Sequence, residues 1–220
     1  MMLVRLPEYL FHSTMAQYFS IHPDNPQLRL IRQAVAIVND GGIIAYPTDS
    51  SYALGCHIGD KGAMERIRRI RQVDDDHNFT LVCRDLSELS VYAKVDNHIY
   101  RLLKRFTPGP YTFILPATKE TPRRLQHPKR RSIGFRVPDY PIVSSLLAEL
   151  NEPILSATLS LPEYSLPLND AQTIRELLEK QVDLVIDGGP CDGIPTTVVS
   201  FMDGDPQVHR VGKGEAEHFS

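Results

Sequence analysis

No apolar run in this sequence approaches the roughly 20 residues that a membrane helix needs, so no spanning helix is expected. Cysteine is scarce. Cys56, Cys83 and Cys191 lie far apart and form no Cys-x-x-Cys pair, which argues against a disulfide framework or a zinc site. Buried thiols in a reducing compartment fit better. The opening MMLVRLPEYLFHSTMAQYFS lacks a signal-peptide pattern, because Pro7, Glu8 and His12 interrupt its short apolar stretch. A cytoplasmic protein is expected. Familiar catalytic signatures are missing too. There is no G-x-x-x-x-G-K-S/T phosphate loop, no G-x-G-x-x-G opening a helix, no His-Glu-x-x-His and no G-x-S-x-G elbow. These absences argue against a P-loop enzyme, a Rossmann cofactor site, a zincin and a serine hydrolase.

What is present suits a soluble globular protein. The 220 residues are 42% hydrophobic and 23% charged, and a chain of that length can bury about 70% of its unfolded surface without disulfides or metal. One domain is expected over residues 15–220. Met15 opens a second plausible start, so residues 1–14 read as an N-terminal extension with little order. The 17 prolines point to many turns and abrupt element ends.

Charge is unevenly distributed on a chain whose total is −3. Residues 101–136 hold ten basic side chains (Arg101, Lys104, Arg105, Lys119, Arg123, Arg124, Lys129, Arg130, Arg131, Arg136) against Glu120 alone, a local +9. A second basic cluster is Lys61, Arg66, Arg68, Arg69 and Arg71. Residues 151–220 carry four basic and twelve acidic side chains. Basic clusters on an otherwise acidic chain suit phosphate-bearing ligands, and equally read as solvated faces.

Periodicity predicts helices at 25–42, from Asp60 to about Arg71, after Asp96, at 141–150 and at 170–180. Short apolar or alternating runs predict strands at 43–47, 79–83, from Tyr111, at 132–138 and at 153–158, with DLVIDGG, TTVVSFM and PQVHRVG as three closing strands. The fold class is therefore α/β, a single domain with a twisted mixed parallel/antiparallel sheet. Two polar turns follow strands. PTDSSYALGC packs Thr48, Asp49, Ser50, Ser51 and Tyr52 together, and PILSATLS sets Ser156, Thr158 and Ser160 on one face by the period of two. Strand ends of this kind bind ligands in open sheets, although such hydroxyls also bond their own backbone. Asp74, Asp75 and Asp76 could attract magnesium but read better as a solvated loop.

Taken in order, PTDSSYALGC, RRIRQVDDDHNFTLVC, TPGPYTFILPA, IGFRVPDYP, PILSATLS, IPTTVVSF and HRVG resemble the YrdC/YciO-like family, the threonylcarbamoyl-AMP synthase superfamily, over about residues 26–213. The opening FSIHPDNPQLRLI and the stretch LPEYSLPLNDAQTIRELLEKQVDLVIDGG look closest to the YciO branch. The resemblance implies a basic concave face. It also implies ATP, L-threonine and bicarbonate as substrates, Mg²⁺ with the ATP, a role in tRNA modification and a monomer. RNA or tRNA binding, including double-stranded RNA, is the alternative it carries. Under it, Thr48, Arg136 and Thr196 would hold threonine. Arg69, Arg71, Thr112, Ser160 and Arg210 would face the nucleotide. Arg69, Arg71, Thr158 and Ser160 would be the catalytic group. Four positions depart from the active synthases. Arg69-Ile70-Arg71-Gln72 stands for a Lys-x-Arg pair often followed by proline; Thr158-Leu159-Ser160 stands for Ser-x-Asn; Cys83 replaces a histidine of some synthases; Ser200 replaces an aspartate. A planar guanidinium is not equivalent to an ammonium at a phosphate, and a hydroxyl lacks the reach of an amide. Slow turnover is expected.

Overall fold

The chain alternates helices and strands in its first half because apolar residues switch between spacings of 3.6 and 2. A computed structural model describes residues 15–74, 79–119, 121–127 and 129–219. Its strands are β1 (Gln17–Ser20), β2 (Ile44–Tyr46), β3 (Ala53–His57), β4 (Thr80–Val82), β5 (Tyr111–Pro116), β6 (Ser132–Arg136), β7 (Ile154–Thr158), β8 (Leu184–Asp187), β9 (Thr197–Ser200) and β10 (Gln207–Arg210). Its α-helices are α1 (Leu28–Asn39), α2 (Lys61–Arg71), α3 (Leu89–Tyr92), α4 (Asn97–Phe106), α5 (Pro141–Leu150) and α6 (Ala171–Leu178). The expected extension at 1–14, and Asp75 and Asp76 of the acidic trio, lie outside the described residues. None of the helices among the described residues is long and apolar enough to cross a membrane.

Helix starts follow capping chemistry. Asp60, Asp96 and Asp170 each accept the amide hydrogen three residues on, from Ala63, Ile99 and Thr173. α1 begins two residues later than Pro26 suggests and stops before Gly41, whose φ of +83° is easy only for glycine. α2 ends on Gln72 at φ 51°, ψ 46°. A proline, held near −65°, cannot adopt that φ, so this helix closes differently from one with proline at position 72.

The ten strands form one sheet in the order β1-β8-β2-β3-β7-β4-β6-β5-β9-β10, mixed parallel and antiparallel as expected. The three strands near the C-terminus do not lie together. β8 sits between β1 and β2, while β9 and β10 form the far edge. β3 was hidden inside a segment that reads as a turn. Its ALGCH carries no alternation because Ala53, Leu54, Gly55 and Cys56 are all buried. A side chain at Gly55 would meet the Tyr46 ring at 2.7 Å and Ile154 at 2.8 Å.

Two cores flank the sheet. On one face α1 and α5 cover the β8-β2-β3-β7 half, burying Ile31, Val35 and Leu146 against Ile44, Tyr46 and Ile154. On the other face a larger core runs the length of the sheet, with Met64, Leu103 and Ile174 packed against Leu54, Phe113 and Phe135. No residue of β5, β6, β9 or β10 belongs to the first core. β5 shows the consequence: Tyr111, Phe113 and Leu115 are buried in the larger core, while Thr112, Ile114 and Pro116 on the opposite face are half-buried.

Candidate anion-binding site

Strand register assembles the site on that uncovered face. Val82 pairs with Arg136, Phe113 with Phe135, Thr112 with Val198, and Arg210 with Val198. One step from the Phe113–Phe135 pair, Thr112 therefore stands beside Arg136. Arg136, Thr112, Val198 and Arg210 form one row across four strands, and paired positions face the same way.

The turn after β2 closes one side of this row. The Thr48 hydroxyl donates to the Ser51 carbonyl at 2.7 Å and accepts from the Ser50 and Ser51 amides at 3.2 and 3.3 Å. Thr48 thus shapes its own turn, the alternative that hydroxyl-rich turns always carry. Arg136 reaches into the turn. Its Nη2 forms an ion pair with Asp49 and donates to Ser50 Oγ at 3.0 Å and, more weakly, to Thr48 Oγ1 at 3.4 Å. The second Asp49 oxygen accepts the Asp139 amide at 3.0 Å. Arg136 is 7% exposed, yet its Nε is buried without a hydrogen-bond partner. A buried guanidinium N–H left unpaired carries an appreciable desolvation penalty.

A second group closes the other side. Arg210 Nε and Nη2 donate to the Thr196 carbonyl at 3.1 and 2.9 Å, and Thr196 Oγ1 lies 2.8 Å from Thr112 Oγ1. Burial, with repulsion from Arg136 second, holds the Arg210 guanidinium below the usual arginine range. The two cations therefore share one electrostatic neighbourhood, which an anion between them would relieve. Lys213 adds a third: its Nζ donates to the Asp49 carbonyl at 2.6 Å and pairs with Asp192.

The predicted site residues thus divide. Thr48 and Arg136 meet directly, Thr112, Thr196 and Arg210 meet directly, and the two groups approach each other through their arginines. Thr158 and Ser160 share no described side-chain bond with either group; Thr158 ends β7 opposite Ala53, and the Ser160 amide bonds the Thr158 carbonyl at 2.9 Å. Ser156, on the same face, is structural, with Oγ 2.7 Å from the Tyr46 hydroxyl. Arg69 is exposed on α2, its Nε 3.4 Å from the Glu65 carbonyl, beside Arg68 and Asp74. Arg71 is half-buried at the same helix end, and burial pulls it down to about 10. Cys56 and Cys83 are buried, as expected, whereas Cys191 is only half-buried, with its thiol donating to the Thr48 carbonyl at 3.4 Å. Ser200 is buried, its Oγ 3.4 Å from the Met202 amide. Sequence reasoning placed Asp49 and Ser50 in the polar turn with Thr48 but gave neither its Arg136 partner, and it left Lys213 out of the site; the one cue to Lys213 was a lysine three residues past Arg210 in an acidic segment.

The described residues gather no group of three His, Cys, Asp or Glu side chains able to hold a metal ion. The site's positive charge comes from arginine and lysine, balanced by Asp49 and Asp192.

Comparison with known proteins places the chain among relatives. The family model Sua5_yciO_yrdC, described as "Telomere recombination", matches residues 36–212, which include Thr48, Thr112, Arg136, Thr196 and Arg210. The uncharacterized protein YciO of Escherichia coli is 59% identical over 93% of this chain and all of its own length. Its crystal structure superposes with a TM-score of 0.90. Threonylcarbamoyl-AMP synthase of Vibrio vulnificus is 27% identical over 72% of this chain and 86% of its own. The crystal structure of P. abyssi Sua5 complexed with L-threonine matches at 25% identity and a TM-score of 0.84, covering 91% of this chain and 59% of the longer Sua5 chain. The chain belongs to the Sua5/YciO/YrdC family.

Proposed function

We propose that the protein binds ATP and L-threonine and forms threonylcarbamoyl-AMP from L-threonine, bicarbonate and ATP, releasing pyrophosphate, as a slow cytoplasmic enzyme acting as a monomer and serving tRNA modification. The observation that carries the reading is the buried, unpartnered Nε of Arg136 in the same electrostatic neighbourhood as Arg210. Two guanidiniums in one row across β6, β5, β9 and β10 suit a ligand with a carboxylate and phosphates. Support also comes from the synthase of V. vulnificus and the threonine complex of P. abyssi Sua5 among the relatives.

The chemistry needs no catalytic triad. Bicarbonate delivers carbon dioxide and hydroxide; the threonine nitrogen adds to the carbon dioxide and releases a proton, so water is the by-product. The resulting carbamate oxygen attacks the α-phosphorus of ATP, and the bond to the β-phosphate oxygen breaks to free pyrophosphate. In this scheme Arg136 holds the amino-acid carboxylate within the frame set by the Thr48 turn. Thr196, buried between Thr112 and Arg210, fixes Arg210 toward the phosphates. Arg69, Arg71, Thr158 and Ser160 complete the nucleotide side. With arginine for lysine and serine for the amide, charge stabilisation is weakened by several kcal/mol per altered group, which accounts for the expected low rate.

Purified protein is expected to release pyrophosphate only when ATP, threonine and bicarbonate are all present. Release no greater than that of a heat-killed sample would overturn the proposal.

A further inference from the structure

Lys213 lies one residue beyond the segment that the family model matches. Its backbone is fixed to the sheet. The Lys213 amide donates to the Pro195 carbonyl at 2.9 Å, and the preceding Gly212 amide donates to Thr197 Oγ1 at 2.9 Å. Three residues upstream, Arg210 Nη2 is held by the Thr196 carbonyl at 2.9 Å. The side chain of Lys213 is thus a flexible arm on a rigid base, and Arg210 shares that base.

The arm ends on the turn that holds Arg136. Three successive carbonyls of that turn are capped from outside it. Thr48 accepts from the Cys191 thiol at 3.4 Å, Asp49 from Lys213 Nζ at 2.6 Å and Ser50 from the Gly193 amide at 3.1 Å. Burial holds the Cys191 thiol above its usual range, so it stays protonated and remains a donor. Cys191 and Gly193 belong to one loop, and Lys213 pairs with Asp192 between them. Lys213 therefore joins the turn, the loop and the Arg210 segment. Charges alternate along the path Arg136, Asp49, Lys213, Asp192, so each step is attractive.

We propose that Lys213 is a positioning residue for Arg136, acting through Asp49. Among the described residues, Arg136 bonds Asp49, Ser50 and Thr48 through Nη2. The turn therefore decides where the unpartnered Nε points. Asp49 is held at three points: one carboxylate oxygen on Arg136, the other on the Asp139 amide, and the backbone carbonyl on Lys213. The Lys213 contact can be removed without stranding a buried charge, because the Lys213 and Asp192 side chains are 34% and 54% exposed. Cys191 and Gly193 would still hold the neighbouring carbonyls, so the turn would persist. The Asp49 peptide plane would be free to rotate, its carboxylate would lose its aim, and Nε would turn away from the ligand. By the same contact Lys213 fixes how far the Arg136 turn stands from Arg210. A ligand with a carboxylate and phosphates needs both guanidiniums at a set separation, and the inference rests on that reading of the site.

The test compares the parent with Lys213→Met, which keeps an apolar stem and removes the charge, and with Lys213→Arg, which keeps a cation able to reach the carbonyl. Arginine side-chain ¹H–¹⁵N NMR reads the Arg136 Nε–H directly, and calorimetry reads L-threonine binding. In Lys213→Met the Arg136 Nε–H signal is expected to shift and broaden. The threonine Kd should rise about tenfold, as for one weakened charge-assisted hydrogen bond. The melting temperature should stay within about 2 °C, since an exposed ion pair contributes little. Lys213→Arg should restore the signal and bring the Kd within about threefold of the parent's. A Lys213→Met protein that keeps the parent's Arg136 signal, or its threonine affinity, would overturn the proposal. So would an arginine variant no better than the methionine one, or affinity lost only in step with a large fall in melting temperature. A parent that binds no threonine would sink the proposed activity, while the Arg136 signal would still decide the role of Lys213.

Discussion

Asp49→Asn isolates the charge that balances Arg136. The asparagine oxygen can still accept the Asp139 amide, so the turn keeps its hydrogen bond and loses only its anion. In the parent, Asp49 and Arg136 side chains are 10% and 8% exposed. Removing one partner of such a buried pair costs about 3–5 kcal/mol. Ser50 and Thr48 still contact the guanidinium, which places the loss at the lower end, about 3 kcal/mol. For a domain of this size that is a fall in melting temperature of about 6–12 °C. The orphaned Arg136, beside Arg210, should then become an open anion site. Phosphate at about 100 times its Kd would return roughly 2.7 kcal/mol to the variant. It would return less to the parent, where Asp49 competes for the same guanidinium. Differential scanning calorimetry with and without phosphate measures both effects. A variant that melts within 2 °C of the parent and gains no more from phosphate would refute the reasoning.

The remaining expectations are smaller. Thr196→Val removes the hydroxyl between Thr112 and Arg210; nucleotide binding measured by calorimetry should weaken about tenfold, as expected for losing about 1.4 kcal/mol of hydrogen bonding. Gly55→Ala would force a methyl against Tyr46 and Ile154 and should destabilise by about 1–3 kcal/mol in urea unfolding. Burial pushes the Tyr46 hydroxyl up to about 12 from 10.0. Its neutral form is thus favoured by folding, and the stabilisation is full below pH 10 and lost as pH climbs toward 12. Urea midpoints should fall across that window by up to about 1.4 kcal/mol per pH unit from this group, and Tyr46→Phe should flatten that fall.

Much of the fold was legible because its elements announce themselves locally. Asp60, Asp96 and Asp170 cap helices where they stand, and the buried runs of β2, β7 and β8 are short and apolar. β3 escaped because burial on both faces erases alternation, and Gly55 reads as a turn residue although it is there to admit Tyr46. Strand order also escaped. Pairing of β8 with β1 and β2 is a long-range choice made by packing, and no local pattern in DLVIDGG encodes it. In the site, the residue types were readable and their partners were not. Nothing in PTDSS says that Asp49 neutralises Arg136 across 87 residues of chain. The C-terminal helix signal at Arg69–Arg71 gave charge but not direction, which Gln72 sets through its left-handed conformation.

A crystal structure with ATP and L-threonine bound tests the central claim most directly. The account predicts the threonine carboxylate within hydrogen-bond reach of Arg136 Nε and the nucleotide phosphates facing Arg210. Nucleotide phosphates seated elsewhere, with Arg136 Nε and Arg210 facing no ligand atom, would contradict it.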